Sequence, residues 1–499
     1  MASFWNKIPF RPSTNNGRTH RIEALQASFL GWIVPTLFPS ISQTKRYEKL
    51  CDGKEEQRDL TEAGCCKEQQ RPDIELVNAN SLPSIPGSES ESRNGIHALL
   101  GGYQTSLDCS KGRYTSLQIA NDLKPESPMT LIHPDETVRV ARSFVTKFQG
   151  HTAYAVKAND SPDLLSILST SGVTWFDVAS IKEVRLVLRN LPEATLCFMN
   201  PVKSEKAIKE AYFAHGVRSF SLDSHDELEK ILRSTATAVG RATDLNLFVR
   251  LRVLSRNAKL SLESKFGVSG QEARLLLQAV QVSNNQVGVC FHVGSQVMGR
   301  GDFAAGLQQA YSITLEAEVH VRFISVGGGF AVKYPDMEPP STSQHLDEIH
   351  NAFQSLPFPP STILIAEPGR CLSAWHHSML LRVEKRRGSA LYVNDGVYGT
   401  FSDAGRLNWP YFTRLLRESP STGKSKPFTL YGPTCDTLDK FGPWNLPRDV
   451  KAGDYLEVFG LGAYGSVMRT RFNGCDAYES MVVQDEPIDL VIERYYQSR

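Results

Sequence analysis

The chain has 499 residues, enough for two or three domains, and its 41% hydrophobic and 22% charged content is that of an ordinary globular protein. A net charge of +1 argues against a nucleic-acid partner, because phosphate binding usually leaves a basic excess. No apolar run approaches the ~18 residues of a membrane span, and nine scattered cysteines without a CxxC pair point to reduced thiols and a cytoplasmic location.

Residues 1–22 carry Lys7, Arg11, Arg18 and Arg21, with no acid before Glu23, and an apolar segment from Ala24 to Phe38 follows. The pattern loosely resembles a targeting sequence, but Pro35 interrupts its apolar part and no small-residue cleavage site stands out. Residues 40–95 are polar and irregular, and Ser81 to Asn94 reads as a linker. Residues 1–95 are therefore expected to form a disordered extension, and residues 96–129 to lend a strand or strands to a β domain.

Between residues 130 and 374 short apolar runs alternate with amphipathic helical patterns. The runs are Ala153–Val156, Trp175–Asp177, Leu196–Met199, Ser219–Leu222, Leu247–Leu251, Val287–His292, Phe323–Val326 and Ile363–Ala366. Helical patterns between them include Ser161–Thr170, Ile181–Arg189, Gly270–Val282 and Phe303–Thr314. Strands followed by helices in this way predict an α/β fold, a (β/α)8 TIM-like barrel. From residue 375 to 499 the chain turns strand-rich, with Met379–Val383, Ala390–Val393, Pro427–Tyr431 and Tyr455–Phe459, which predicts a separate C-terminal β domain.

Chemistry in such barrels sits at the C-terminal strand ends, and Lys157, Asp177, Asn200, His292, Gly327–Gly329 and Glu367 fall there. Lys157 closes the run Tyr154-Ala-Val-Lys-Ala-Asn159. Desolvation at a buried strand end is expected to lower its pKa and free its amine to form a Schiff base; alone, a snorkelling lysine is the commoner meaning. Consecutive glycines after Phe323–Val326 let backbone amides approach a phosphate, although a tight turn needs the same residues. Glu367-Pro-Gly-Arg370 sets an acid and a cation at one strand end, suited to a pyridine nitrogen and a phosphate, or to a structural ion pair. Phe291-His-Val-Gly-Ser295 supplies an imidazole for ring stacking and a hydroxyl. Gly432-Pro-Thr-Cys-Asp436 supplies a thiol able to return a proton to a carbanion and a carboxylate able to pair with an ammonium.

Together these motifs, with FDVAS, VNDGVYGTF and GAYGSV…FNG in the same order, resemble eukaryotic ornithine decarboxylase over residues 97–490. The resemblance implies a fold-type III pyridoxal 5′-phosphate enzyme of polyamine or specialised amine biosynthesis, a homodimer with active sites at its interface, and no metal. It makes Lys157 the Schiff-base lysine, Glu367 the partner of the pyridine nitrogen and His292 the ring-stacking residue. Ser295, Gly328, Gly329, Arg370 and Tyr464 become phosphate ligands. Asp177 and Arg250 become polar residues of the cofactor pocket, with Glu183 a structural acid near it. Cys435 and Asp436 resemble the proton donor and the substrate-amine ligand supplied by the neighbouring subunit, while Tyr398 and Phe472 line the substrate side.

The substrate set departs from the family pattern. Arg406 and Leu407 stand where ornithine decarboxylases carry a Tyr-Asp pair whose acid helps hold the distal ammonium, and Asp403 is the nearest replacement carboxylate. Ala331 replaces a proline, and Ser325 an acid, around the glycine run; both changes are expected to lie behind the site. The leading substrate is L-ornithine, followed by a related or modified basic amino acid. The competing readings are an inactive antizyme-inhibitor-like regulator, disfavoured by the intact Lys157, Glu367, Arg370 and Cys435, and a diaminopimelate-type decarboxylase, disfavoured by Asp436 where that family has Glu.

Overall fold

The computed structural model describes residues 113–419 and 424–497. The expected extension over residues 1–95 lies outside the described residues. The first strand, β1 (Met129–Ile132), is followed by β2 (His151–Ala155), β3 (Trp175–Val178), β4 (Thr195–Phe198), β5 (Ser219–Leu222), β6 (Asn246–Arg250), β7 (Ala258–Leu260), β8 (Gln286–Cys290), β9 (Ser295–Val297), β10 (Phe323–Ser325) and β11 (Ile363–Ala366). Strands β2, β3, β4, β5, β6, β8, β10 and β11 close into a parallel barrel. All eight expected barrel runs are in it. Where the runs overshoot, as at Phe291 and His292, the backbone has left the sheet while the sequence stays apolar.

Alternation along each strand sorts the side chains. Ala153, Cys197, Met199, Phe248, Cys290, Phe323 and Ile365 fill the barrel interior, while Tyr154, Phe176, Phe198, Phe220 and Ile324 pack outward under the helices. Gly288 is required beside Phe248, because a Cβ there would lie 2.7 Å from that ring. Three helices start on serine caps placed just after strands. Ser180 accepts from Glu183 N–H, Ser204 from Ala207 N–H and Ser224 from Glu227 N–H. Each such cap is worth about 1 kcal/mol.

The second unit is an eight-stranded sheet of β1, β12 (His377–Arg387), β13 (Ala390–Val393), β14 (Phe412–Leu416), β15 (Ser425–Tyr431), β16 (Lys440–Pro447), β17 (Tyr455–Phe459) and β18 (Glu479–Val482). Strand β1 straddles the expected boundary at 129/130. It pairs antiparallel with β12 and parallel with β18, so Thr130–Ile132 belong to the sheet rather than to the barrel. All four of its residues are buried, and a buried run of four reads the same in either sheet. Sequence reading also missed β14, β16 and β18. The Pro443 and Pro447 of β16 argue against a strand in isolation.

Buried polar groups join the two units. Asp163 follows the Lys157 loop, and its carboxylate meets His376 Nε2 at 2.9 Å; His376 Nδ1 meets Thr137 Oγ1 at 2.9 Å. Thr137 Oγ1 donates to the His133 carbonyl at 2.7 Å, so Nδ1 must be the donor toward Thr137. Burial raises the Asp163 carboxyl, but the hydrogen bond and charge of His376, with His377 and Ser161, together outweigh it and hold Asp163 well below the usual carboxylate range. His376 thus ties Asp163 to Thr137 in a buried polar contact across the domain junction.

Candidate active site

A cavity of about 240 Å³ opens at the C-terminal ends of the barrel strands. Lys157, Asp177, Arg250, His292, Ser295, Gly328, Gly329, Glu367, Arg370 and Tyr464 all line it, which is every residue expected to hold the cofactor. Asn200 lines it as well.

Lys157 lies in the single helical turn Val156–Ala158 that ends β2. Its Nζ donates to Asp177 Oδ2 at 2.6 Å. The side chain is 42% exposed, but the surface it exposes faces the cavity, and the surrounding protein still desolvates it. The expectation of a lowered lysine pKa is corrected here. Burial does pull the ammonium down, yet Asp177, Tyr464 and Glu367 more than offset it, and the net shift is upward. Lys157 is therefore held as an ammonium on Asp177.

Glu367 ends β11 and is fully enclosed. Burial, reinforced by Asp177, pushes its carboxyl up to about 7, with Lys157 and Ser325 opposing. Ser325 Oγ donates to Glu367 Oε1 at 2.5 Å and accepts from Gly327 N–H at 3.2 Å. The serine at this position thus touches the site's central acid directly. Glu183 stands behind Asp177; burial pushes it up to about 7 despite the N–H of Ala179, 2.6 Å away.

His292 is held well below its ordinary value by burial, then by Arg250 and Lys157. Its Nδ1 accepts from Gly294 N–H at 3.1 Å, so the neutral ring carries its proton on Nε2. A Cβ on Gly328 would lie 2.6 Å from the Glu367 carbonyl oxygen, and Gly329 has φ +110 with the Gly294 carbonyl 2.5 Å from a built Cβ. Only glycine fits at both, which leaves the backbone bare toward the cavity. Arg370 is almost wholly buried, and its Nε has no hydrogen-bond partner.

Sequence reading missed Lys265 and Phe266, which reach the cavity from the connection after β7. The only local signal was a cation beside an aromatic residue, and Arg250 and Lys265 both lie over the Phe266 ring.

The residues expected on the substrate side are elsewhere. The rings of Tyr398 and Phe472 lie tilted against each other with centroids 4.7 Å apart, Tyr398 Oη donates to Asp436 Oδ2, and Cys435 N–H donates to Asn473 Oδ1 at 3.1 Å. None of the four lines the cavity, and Cys435 is exposed. One chain gathers Cys435, Asp436, Tyr398 and Phe472 into a cluster of their own on the sheet domain. Asp403 is a further correction. It does not stand open as a replacement ammonium ligand but pairs with Arg370 at 3.4 Å. Arg406 and Leu407, at and after the end of the same short helix, Ser402–Arg406, are exposed.

A burial-raised Glu367 favours the folded state at low pH. Its contribution is fully present below the ordinary value of 4.5 and lost as pH rises through about 7. In cofactor-free protein, Glu367→Gln is expected to raise Tm more at about pH 8.5 than at about pH 6, by on the order of 1–3 kcal/mol in stability. A Tm difference that ignores pH would show that Glu367 is not a strained buried acid.

The donor set fits a phosphorylated pyridine aldehyde: an amine for the carbonyl carbon, an acid for the ring nitrogen, a flat neutral imidazole, and, for the phosphate, bare backbone beside a guanidinium whose Nε has no partner. A parallel barrel with this cavity, joined to an antiparallel-rich sheet, defines a class of pyridoxal-phosphate enzyme. The chain belongs to the pyridoxal-dependent decarboxylases. The model of their pyridoxal binding domain matches residues 135–374 and that of their C-terminal sheet domain residues 376–462. The lysine/ornithine decarboxylase of Selenomonas ruminantium is 31% identical over 345 residues, covering 67% of this chain and 84% of that protein. Mouse (Mus musculus) ornithine decarboxylase is 30% identical over 365 residues, covering 67% and 76%. The crystal structure of the arginine decarboxylase of Paramecium bursaria Chlorella virus, bound to agmatine, superposes with a TM-score of 0.65 at 25% identity and covers 73% of this chain and 98% of that one. The protein is thus a pyridoxal-phosphate-dependent amino-acid decarboxylase of the group acting on basic amino acids. Among the described residues no helix is long and apolar enough to cross a membrane.

Proposed function

We propose that the protein decarboxylates L-ornithine, or a related or modified basic amino acid, to the corresponding amine, as a homodimer whose sites are completed across the subunit interface. The observation that carries this reading is the convergence of Lys157, Asp177, Glu367, His292 and Arg370 on one cavity while Cys435 and Asp436 stand outside it.

When bound, pyridoxal phosphate supplies an electron sink for the pair left behind as CO₂ departs. The chain does the rest. Asp177 Oδ2 is placed to take the proton that Lys157 Nζ must release before its lone pair is free. Glu367, poised by burial near neutral pH and oriented by Ser325, would share a proton with the ring nitrogen. His292 would face the ring while adding no charge. Ser295, Gly328, Gly329, Arg370 and Tyr464 would hold the phosphate, and Arg250 would balance the carboxylates. From the partner, Cys435 would be the proton donor to the substrate and Asp436 would pair with its distal amine, with Tyr398 and Phe472 flanking it.

Arg406 and Leu407 favour an altered substrate within this class. A charge-assisted contact to an ammonium is worth about 1.5–3 kcal/mol, or roughly tenfold to over a hundredfold in affinity. CO₂ release from ornithine, lysine, arginine and diaminopimelate separates the candidates. Leu407→Asp is expected to lower KM for ornithine by about tenfold or more. No release from any of the four substrates would favour the inactive-regulator reading, and no gain from Leu407→Asp would remove that position from the substrate site.

A further inference from the structure

The Arg370 guanidinium is only 5% exposed and lies among three rings, 4.8 Å from Trp409, 4.9 Å from Tyr464 and 6.0 Å from Tyr334. Its Nη1 donates to Tyr334 Oη and its Nη2 to Asp403 Oδ2, each at 3.4 Å. Nε is left buried and unpartnered. A guanidinium is a rigid planar fork, so tying its two outer nitrogens settles where its inner edge points. A buried donor left unpaired is costly, so this edge is prepared for an acceptor that arrives later. Asp403 does not itself line the cavity.

We propose that Asp403 is a positioning residue for the phosphate clamp. Acting through Arg370, it holds the guanidinium so that the Nε edge is presented to the phosphate monoester of the cofactor. The inference rests on the reading that Arg370 receives that phosphate.

This place needs a hydrogen-bond acceptor rather than a charge. The aromatic rings exclude water and favour a cation between them, but a stacked guanidinium can still turn in its own plane. Asp403 removes that freedom through a partner on a different domain, since the helix Ser402–Arg406 belongs to the sheet unit while Arg370 follows the last barrel strand. The charge works in the opposite sense, because an anion behind the guanidinium weakens its pull on a phosphate. Asparagine keeps the acceptor and removes the charge, whereas alanine removes both. The two substitutions are therefore expected to diverge, which a purely electrostatic role would not produce.

The test is a titration of cofactor-free full-length protein with pyridoxal 5′-phosphate and, separately, with pyridoxal, read by visible absorbance. Asp403→Ala is expected to weaken binding of the phosphorylated form about ten- to a hundredfold while changing pyridoxal by less than about threefold. Asp403→Asn is expected to bind the phosphorylated form at least as well as wild type. Asp403→Ser, too short to reach Nη2, should repeat the alanine result and serves if the alanine variant does not fold. Wild-type affinity in the alanine and serine variants, or an equal loss toward both ligands, would overturn the proposal. Arg370→Met separates the two levels of the argument. If it fails to reduce the preference for the phosphorylated ligand, the phosphate reading of Arg370 is wrong. If it succeeds where Asp403→Ala does nothing, only the role of Asp403 falls.

Discussion

Lys157→Ala is expected to abolish the visible absorbance that pyridoxal phosphate acquires on bonding to a protein lysine, and to cut decarboxylation by about three orders of magnitude or more. The physical reason lies in the cavity. Lys157 Nζ is held 2.6 Å from Asp177 and directed at the space bounded by Glu367, His292 and the glycine run. No other lysine that lines the cavity sits at a barrel strand end. Lys265 comes from the connection after β7 and lies over Phe266, so it has no acceptor comparable to Asp177 with which to exchange a proton. An unchanged spectrum in Lys157→Ala would move the cofactor bond to another amine. A lost spectrum with retained turnover would show that the bond is dispensable for the chemistry.

Equal mixing of Lys157→Ala and Cys435→Ala proteins is expected to restore activity to about a quarter of wild type, although each variant alone is nearly inactive. In a two-fold dimer with shared sites, half of the randomly paired molecules are mixed, and each mixed molecule has one site with both residues intact. The expectation arises because Cys435 is exposed and outside its own chain's cavity, on a surface that also exposes Leu438 and Phe472. Large apolar side chains left uncovered next to a reactive group suit an interface better than solvent. Full subunit exchange without recovery would mean that Cys435 serves no neighbouring site.

Several residues show how far sequence reasoning reached. The barrel strands were legible because each is a short apolar run ended by a polar or glycine residue, and the same ends carry the chemistry. The cofactor set was legible for that reason, with the order of the motifs removing the ambiguity each has alone. The state of Lys157 was not. Desolvation argued for a lowered pKa, and the placement of Asp177 on the neighbouring strand β3, together with Tyr464 and Glu367, reverses the sign. Ser325 lies behind the site as expected, outside the cavity lining, but only the pairing of β10 with β11 brings its hydroxyl onto Glu367, 42 residues away. Lys265 and Phe266 were missed because an irregular connection carries no periodicity.

The sequence by itself determined the architecture of a barrel followed by a sheet, the family, the cofactor and the residues that surround it. These depend on local patterns: short apolar runs, amphipathic helical patterns between them, and glycines where backbone must come close. Tertiary structure alone decided the rest. It assigned β1 to the sheet, because a buried strand's partners are a property of the fold and not of its four residues. It paired Asp403 with Arg370, and it left Cys435 and Asp436 outside their own chain's cavity. Those outcomes follow from distances between segments far apart in the chain, and the burial and charges that result keep the proton on Lys157 and raise the carboxyl of Glu367.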